Sequence, residues 1–310
     1  MTKVLIPTKL DKVAQKLLTE NGFVVVQDSE TPLVDLVKAN SDSDALIVRS
    51  EKITSEIIDL LPNLKTVIRA GAGFNTIDTN YARTKNVDVM NTPGANANGV
   101  AEEVFALMLA AYRFVVPADN DTRKGGWEKK KFLGREITGK TLGIVGLGNI
   151  GRLVAKHASG FDMTLLAYDP IVTPEQAAQS GVKLVSLEEL FAQSDIITLH
   201  IPENNATRGI VNNNLLKLVK TGAMLINCAR AGVVNEADIR AIKAEKQLLF
   251  CNDVYAADEA GEKSVADIAD VMLPHLGANT KEANFNAAKR AGEQMIDYFQ
   301  KGDKRFVVNK

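Results

Sequence analysis

The stretch Lys140-Thr-Leu-Gly-Ile-Val-Gly-Leu-Gly-Asn-Ile-Gly151 joins a short β-rich run directly to a Gly-x-Gly-x-x-Gly turn. The first glycine suits a tight turn, the second would let the backbone approach a pyrophosphate, and the third would let the following helix pack closely on its strand. The N-terminus of that helix favours an anion, because its N–H groups are free and its dipole is positive there. The stretch therefore predicts a dinucleotide site on residues Gly146, Gly148, Asn149, Ile150 and Gly151.

The residues after this loop favour one kind of dinucleotide. An amphipathic stretch begins at Arg152, and a second strand-like run over residues 163–168 is followed by Asp169. A carboxylate about 20 residues beyond the glycines can accept hydrogen bonds from the adenosine ribose and would repel a 2′-phosphate. Asp169 therefore favours NAD over NADP as the cofactor, although the Asp169-Pro170 pair could also simply begin a turn.

Composition limits the classes of function. At 310 residues the chain exceeds the usual size of a single core, so two domains are expected. The chain has 37 basic and 38 acidic residues, so sequence-independent electrostatic binding to nucleic acid or to an anionic membrane is not expected. The longest apolar run, residues 104–111, is too short to cross a bilayer, and the N-terminus has the pattern of a strand rather than of an export signal. Cys228 and Cys251 are too few for a disulfide scaffold or a four-thiolate metal site. We expect free thiols, no metal, and a cytoplasmic enzyme with a small-molecule substrate.

Strand-like runs alternate with helical or turn-rich segments in two series. The first series comprises residues 3–6, 23–26, 45–48, 66–68 and 87–90. The second starts at residue 141 and continues at residues 165–168, 196–200, 223–227, 249–252 and 270–273. Between them, residues 98–117 predict one long apolar helix and residues 119–134 a polar stretch. Two wound α/β units follow from this alternation, and periodicity alone leaves open which unit the helical pattern of residues 283–298 joins.

Ionisable groups follow three predicted strands of the second series, at the sheet edge where open α/β sheets bind ligands. The guanidinium of Arg230 suits a carboxylate or a polarised carbonyl, although a structural ion pair is the alternative. Asp253 begins an acidic loop. His275 is the candidate proton carrier, because hydride transfer at an alcohol carbon requires proton transfer at its oxygen. We expect His200 to line the cofactor pocket and His157 to lie on a surface helix.

The first series combines positive charge with a glycine-rich turn. Consecutive N–H groups in the turn after Arg69 would form a nest for a substrate carboxylate. The basic side chains near it suit a substrate with several negative charges. Lys129 could add to this charge, although a lysine run is usually a solvated face. The candidate substrate-binding residues are Arg49, Ser50, Lys52, Arg69, Gly71, Ala72, Gly73 and Lys129.

Several ordered motifs resemble those of the D-2-hydroxyacid dehydrogenase family over nearly the whole chain. They are Arg69-Ala-Gly-Ala-Gly-Phe-Asn-Thr-Ile-Asp78, Met90-Asn-Thr-Pro-Gly94, Gly146-Leu-Gly-Asn-Ile-Gly151, Tyr168-Asp-Pro170, Asn227-Cys-Ala-Arg230, Asp253-Val-Tyr255 and Pro274-His-Leu-Gly-Ala278. The resemblance implies an α/β fold of two wound parallel-sheet domains. Residues 1–98 and 283–310 would form a flavodoxin-like substrate-binding domain, and residues 99–282 a Rossmann-type NAD-binding domain inserted into it. It also implies a homodimer built largely on the NAD-binding domains, with the helix of residues 98–117 and the loop after it near the interface.

The resemblance also implies roles for individual residues. Arg230 would bind the substrate's carboxylate or carbonyl, and His275 would be the general acid/base. The acid beside His275 would be Asp258 when counted from Asp253, or Glu259 when counted from Arg230, and the longer side chain slightly favours Glu259. The residues implied to contact NAD are Ala72, Gly146, Gly148, Asn149, Ile150, Gly151, Asp169, His200, Ile201, Pro202, Cys228, Ala229, Arg230, Asp253, His275, Gly277 and Ala278.

The resemblance is strongest to the branch of the family that oxidises D-3-phosphoglycerate to 3-phosphohydroxypyruvate at the entry to serine biosynthesis, and we expect that reaction. The alternatives are a glyoxylate or hydroxypyruvate reductase, or another D-2-hydroxyacid dehydrogenase. A remote alternative is an NAD-sensing binding protein, because some relatives act as corepressors. Since the chain ends at Lys310, the C-terminal regulatory domain of longer relatives is not expected, and neither is inhibition by serine.

Overall fold

The computed structural model describes residues 1–257 and 259–310, which divide into two compact units. Unit 1 comprises residues 1–96 and 280–310, and unit 2 comprises residues 97–279. Each unit has its own parallel sheet and its own apolar clusters on the two faces of that sheet. The predicted α/β fold with two wound sheets is therefore confirmed.

Unit 1 contains a five-stranded sheet in the order β2-β1-β3-β4-β5, with every pair parallel. This strand order is that of flavodoxin-like folds. The strands are short apolar runs because helices cover both faces of the sheet. The strands are β1 (Lys3–Ile6), β2 (Val24–Gln27), β3 (Ala45–Val48), β4 (Thr66–Arg69) and β5 (Asp88–Asn91). The helices are α1 (Val13–Glu20), α2 (Leu33–Ala39), α3 (Ser55–Asp59), α4 (Thr79–Thr84) and, at the far end of the chain, α12 (Lys281–Lys301).

The C-terminal segment, residues 280–310, belongs to unit 1. Helix α12 packs on α1, where Gly292 lies so close to Ala14 that an added Cβ would be 3.4 Å from the Ala14 Cα. Beyond α12, the Asn309 amide accepts a hydrogen bond from the Val89 N–H (2.8 Å) and donates one to the Val87 carbonyl (2.9 Å). The Asn309 side chain thus pairs with edge strand β5 much as a further strand would.

Unit 2 contains a seven-stranded parallel sheet in the order β12-β11-β10-β9-β6-β7-β8. The strands are β6 (Thr141–Val145), β7 (Thr164–Tyr168), β8 (Lys183–Leu184), β9 (Ile196–Leu199), β10 (Met224–Asn227), β11 (Leu249–Asn252) and β12 (Val271–Met272). The helices are α5 (Ala97–Tyr112), α6 (Val115–Arg123), α7 (Asn149–Ala158), α8 (Pro174–Ala178), α9 (Leu187–Gln193), α10 (Asn213–Leu216) and α11 (Glu236–Lys246), with 3-10 turns at Lys129–Phe132, Ser159–Phe161 and Ala231–Val233. The strand order reverses between β6 and β9, which is the point where Rossmann-type sheets bind dinucleotides.

The long helix predicted over residues 98–117 is wrong in its C-terminal part. Helix α5 ends at Tyr112, and Phe114 has a left-handed φ of 53°. Pro117 is the third residue of α6, a first-turn position where a backbone N–H has no helical partner to lose. The proline therefore lies at the start of a second helix instead of ending the first. Because α6 continues to Arg123, the first part of the polar stretch predicted over residues 119–134 is helical.

Cys228 and Cys251 are free and buried. No helix in the described part of the chain is long and apolar enough to cross a membrane.

Candidate active site

The glycine loop connects β6 to α7 at the point where the strand order of unit 2 reverses. Gly146 has a φ of 97°, and a Cβ there would lie 2.7 Å from the His200 carbonyl oxygen. A Cβ on Gly151 would overlap the Gly146 carbonyl oxygen, so the start of α7 packs directly against the loop. A Cβ on Gly148, in contrast, would meet no atom within 4 Å. The loop is therefore tight at its first and third glycines and open at its second.

Helix α7 begins without a side-chain cap at Gly148 and without an acidic residue in its first turn. Its first N–H groups therefore lack intrahelical partners, and the positive end of its dipole is not neutralised. Open space beside Gly148 adjoins this helix end. Such an arrangement fits the diphosphate of a dinucleotide.

Asp169, at the end of β7, accepts three backbone hydrogen bonds. Its Oδ2 accepts from the Leu147 N–H in the glycine loop (2.8 Å), and its Oδ1 accepts from the N–H groups of Ile171 (2.9 Å) and Val172 (3.2 Å). The residue thus begins a turn through Pro170 and also anchors the loop. Its half-buried carboxylate places negative charge at the strand end where a ribose would bind.

His200 follows β9, beside the glycine loop. Its N–H donates to the Val145 carbonyl (2.7 Å), and its ring Nε2 lies 3.0 Å from Thr198 Oγ1. Burial lowers the pKa of His200 to about 3, because the imidazolium would be desolvated. The ring is neutral near pH 7 and cannot shuttle protons there. The Ile201 side chain lies close to Gly146, and Pro202 follows it.

Asn227 shapes the segment after β10. It is fully buried, its Oδ1 accepts from the Ala229 N–H (3.1 Å), and its Nδ2 donates to the Arg230 carbonyl (3.0 Å). Arg230 is half-buried, and its guanidinium donates to the Ala229 carbonyl (2.6 Å). No acidic side chain among residues 1–257 and 259–310 forms an ion pair with Arg230. Within those residues, Arg230 therefore has no acidic partner for the structural ion pair that was the alternative interpretation.

Asp253 organises the turn that carries His275. Its side chain is buried, with 1% exposure of the residue, and accepts hydrogen bonds from the N–H groups of Leu276 (2.7 Å) and Gly277 (3.2 Å). These bonds fix the backbone immediately after His275, which has a left-handed φ of 56°, uncommon for a residue with a side chain. Burial raises the pKa of Asp253, and the two N–H donors and, more weakly, the nearby His275 oppose this rise. The turn therefore brings a histidine close to a buried carboxylate.

The acidic loop after β11 is folded around Lys263. The Lys263 ammonium donates to the carbonyls of Glu259 and Ala257 and lies 5.2 Å from the centre of the Tyr255 ring. The Glu259 residue is exposed. Asp258, the other acid predicted to act beside His275, lies outside the described residues. The choice between these two acids stays open.

Sequence reasoning missed Glu103, a half-buried acid on α5. Its position lies three residues after Val100 and four before Leu107, both of which are buried, so it shares their face of the helix. Burial and the neighbouring Asp253 raise the pKa of Glu103 to about 8. Burial also raises the pKa of the adjacent Cys228 thiol well above its ordinary value. The apolar periodicity around residue 103 is the signal that could have identified this acid.

In unit 1, Arg49 and Arg69 lie at the ends of neighbouring strands. The Arg69 Nε donates to the Arg49 carbonyl (2.9 Å), and its guanidinium occupies the space that a Cβ on Gly71 would fill. Arg49 is half-buried, and this burial lowers the pKa of its guanidinium. A carboxylate oxygen of Glu51 accepts the N–H groups of Arg49 (2.9 Å) and Ser50 (3.1 Å) and so holds the loop after β3. The two predicted basic residues are thus brought together.

Asn91, at the end of β5, belongs to the motif of residues 90–94 but was not predicted as a functional residue. Its Nδ2 donates to the Ala72 carbonyl (2.6 Å) and so ties β5 to the glycine-rich turn, which also includes Gly73. Lys52 is exposed on the loop after β3. Lys129 belongs to unit 2, where its ammonium lies 5.4 Å from the centre of the Trp127 ring. The predicted substrate-binding residues therefore fall in both units.

Comparison with known proteins gives consistent matches. The family model for the D-isomer specific 2-hydroxyacid dehydrogenase NAD-binding domain matches residues 105–277. The chain is 37% identical over 311 residues to D-3-phosphoglycerate dehydrogenase of Archaeoglobus fulgidus, covering 99% of this chain and 59% of the relative. It is also 37% identical over 312 residues to the human protein of that name, covering 100% of this chain and 58% of the relative. The chain thus spans less than two thirds of the length of these relatives.

Among solved structures, the chain is similar to the NAD⁺-bound 3-phosphoglycerate dehydrogenase of Entamoeba histolytica. The TM-score is 0.81 at 32% sequence identity, and the match covers 100% of this chain and 99% of that chain.

Proposed function

Because the chain belongs to the D-isomer-specific 2-hydroxyacid dehydrogenase family and contains its NAD-binding domain, we propose that it oxidises D-3-phosphoglycerate to 3-phosphohydroxypyruvate with NAD in serine biosynthesis. The observation that supports this most is the placement of Arg230 and His275 after β10 and β12 of a dinucleotide-binding sheet. The names of the similar proteins support the choice of substrate. The placement of Arg230 and His275 suits other 2-hydroxy acids as well. The candidate substrates differ in whether they carry a phosphate, so binding of the phosphate distinguishes them.

The glycine loop, the first turn of α7 and Asp169 would hold the cofactor. When bound, NAD supplies the acceptor for the hydride that leaves the substrate's C2. We assign the substrate carboxylate to Arg230, because a planar guanidinium binds a carboxylate through two parallel hydrogen bonds. We assign the proton of the 2-hydroxyl to His275, which would accept it from the oxygen as the C2–H bond breaks. An adjacent acid, Asp258 or Glu259, would stabilise the resulting imidazolium.

For the substrate's phosphate we propose the basic residues of unit 1. Arg49 and Arg69 are held together there by a hydrogen bond, beside a turn that is rich in glycine. Two guanidinium groups and free backbone N–H groups are the usual ligands of a phosphate. Lys52 and Lys129 would add long-range attraction. This assignment makes affinity for phosphorylated acids dependent on unit 1.

Steady-state rates with a panel of 2-hydroxy and 2-keto acids test the proposed substrate. We expect kcat/KM for D-3-phosphoglycerate to exceed that for D-glycerate by at least about tenfold, since a hydrogen bond to a charged group contributes about 1.5–3 kcal/mol. Lys52→Met should reduce this preference, and Lys38→Met, on α2, should leave it unchanged. Equal use of phosphorylated and unphosphorylated acids would favour a glyoxylate or hydroxypyruvate reductase. NADH binding without any turnover would favour the NAD-sensing binding protein.

Parallel Asp258→Asn and Glu259→Gln variants should identify the acid that acts beside His275. Removing that acid is expected to lower kcat by about 100-fold, because general acid–base catalysis contributes roughly 10²–10⁴-fold and depends on a correctly stabilised imidazolium. The other variant should stay within about threefold of the wild type. The measurement is kcat against pH for both variants. Two variants with wild-type profiles would exclude an acid at either position.

We also propose that the protein is a homodimer in the cytoplasm. Four large apolar side chains are exposed within the short segment of residues 115–133, and exposed apolar side chains that lie together mark protein interfaces. They are Val115 (52% exposed), Val116 (52%), Trp127 (76%) and Leu133 (84%). The two free, buried thiols fit a reducing compartment. Sedimentation equilibrium would give the mass of the assembly, and cell fractionation its location.

A further inference from the structure

Helix α5 carries a half-buried acid, Glu103, for which the proposed reaction has no use. Glu103 lies on the face of α5 that packs toward β10, β11 and β12. Its Oε2 is buried and accepts no hydrogen bond from any N–H or O–H donor of the described residues. The charged form of a carboxyl group is destabilised where its oxygen is removed from water and has no hydrogen-bond donor. A neighbouring group is therefore expected to interact with the Glu103 carboxyl.

Asp253 is that neighbour. A Cβ added to Gly277 would lie 2.8 Å from the Glu103 Oε2 and 3.5 Å from the Asp253 Oδ2, so both carboxyl groups lie against the same glycine backbone. Any side chain at residue 277 would displace one of them. The absence of a side chain there allows the two carboxyl groups to reach the turn that follows His275.

The two carboxyl groups differ in their hydrogen-bond donors. Asp253 accepts the N–H groups of Leu276 and Gly277, and these donors stabilise its charged form. Among the described residues the Glu103 Oε2 accepts no hydrogen bond, and the weakly donating Cys228 thiol is the group that opposes the rise in the Glu103 pKa. Two adjacent carboxylates also repel each other. The shared proton therefore resides on Glu103, whose hydroxyl can donate to Asp253.

We propose that Glu103 is a positioning residue: its protonated carboxyl donates to Asp253, which holds the Leu276 and Gly277 N–H groups and thereby the backbone of His275. Glu103 acts only through this chain of hydrogen bonds and need not touch the substrate. The proposal rests on the proposed function only for the role of His275 as the acid/base. Its effect on cofactor binding does not, because the same turn carries Gly277 and Ala278, which are expected to contact NAD.

This arrangement has a direct pH dependence. The pKa of Glu103 is raised to about 8, first by burial and then by Asp253. Below that pH the carboxyl group donates to Asp253, and above it the pair carries two negative charges and loses the donor. The turn should therefore hold the cofactor less well as the pH rises through about 8. The effect on stability has the same sign. The pKa of Glu103 in the folded state lies above its ordinary value of 4.5, so protonation favours the folded state at low pH. This contribution to stability is lost as the pH rises from roughly 4.5 to 8.

Several other titratable groups lie near α5. Burial raises the pKa of Cys228 well above its ordinary value and that of Cys251 to about 12, so both thiols stay protonated. Burial raises the pKa of Asp253, and the N–H donors of Leu276 and Gly277 oppose this rise, so Glu103 and not Asp253 keeps the proton of the pair. The remaining groups are Glu102, which accepts from Asn98, His157 on α7, which also contacts Asn98, and His275 itself. A substitution of Glu103 therefore tests the contribution of Glu103 separately from these groups.

The test is fluorescence titration of the protein with NADH between pH 6.5 and pH 9.5. For the wild type, we expect the dissociation constant of NADH to rise about tenfold between pH 7 and pH 9, since one proton lost per site changes affinity tenfold per pH unit above the pKa. Glu103→Gln should remove this rise, because its amide still donates to Asp253 and does not ionise. The exposed neighbour Glu102→Gln is the matched control and should follow the wild type. An alkaline rise retained in Glu103→Gln, or absent from the wild type, would overturn the proposal.

A second variant and a second measurement cover the case in which Glu103→Gln folds poorly. Glu103→Leu removes both the donor and the titration, so its NADH affinity should be about tenfold weaker at pH 7 and independent of pH above it. The thermal midpoint of the apoprotein should fall between pH 5 and pH 8.5 more steeply in the wild type than in either variant. A Glu103→Leu affinity equal to that of the wild type at pH 7 would also contradict the proposal. If no 2-hydroxy acid were oxidised, the proposed function would fail while the NADH result stood.

Discussion

Replacing His275 with asparagine is expected to lower kcat about a thousandfold while the dissociation constant of NADH stays within about threefold. The amide cannot accept and release the hydroxyl proton, so the loss should appear in the chemical step. Asparagine is the suitable replacement because His275 has a φ of 56°, and asparagine tolerates this left-handed conformation better than most residues. The turn held by Asp253 should therefore survive the substitution.

Steady-state kinetics and NADH fluorescence titration measure the two quantities separately. His157→Asn on α7 is the matched control, since that histidine contacts Asn98 and the Phe105 ring, outside the proposed machinery. We expect this control to keep kcat within about twofold of the wild type. A His275→Asn enzyme with wild-type kcat would exclude His275 as the acid/base. Joint loss of kcat and NADH binding would instead indicate that the turn had collapsed.

Replacing Arg230 with lysine is expected to lower kcat/KM by at least about 100-fold. Lysine keeps the charge but replaces a planar fork of donors with a single ammonium, which cannot bind a carboxylate through two parallel hydrogen bonds. The local fold should be preserved, because Asn227 holds the Arg230 carbonyl and not its side chain. The effect should therefore reflect substrate binding and orientation.

The control for this variant is Arg240→Lys on α11, where the arginine forms an exposed ion pair with Asp267. Exposed pairs contribute little, so kcat/KM should stay within about twofold. Measuring kcat/KM together with the NADH dissociation constant separates substrate from cofactor effects. If Arg230→Lys weakened NADH binding alone, Arg230 would be a cofactor ligand rather than the substrate anchor.

Some of the fold was predictable because its signals are local. Most strands of the two sheets are runs of mainly apolar residues between turn residues, and this pattern does not depend on distant contacts. The break after α5 was missed because nothing in the sequence marks the left-handed conformation of Phe114. The prediction of one helix over residues 98–117 also did not use Pro117, which fits the first turn of a new helix. The two-residue strand β8 is too short to form a periodic pattern.

By itself, the sequence determined the dinucleotide loop and the strand ends that carry Arg230 and His275. Glycine spacing and strand periodicity are properties of neighbouring residues, so they are visible without coordinates. Only the tertiary structure decided which distant groups meet, such as Glu103 with Asp253 and Asn309 with β5. Periodicity specifies the face on which a side chain lies but not its partner across the core. The sharing of a proton by two acids depends on their separation and burial, which exist only once the chain has folded.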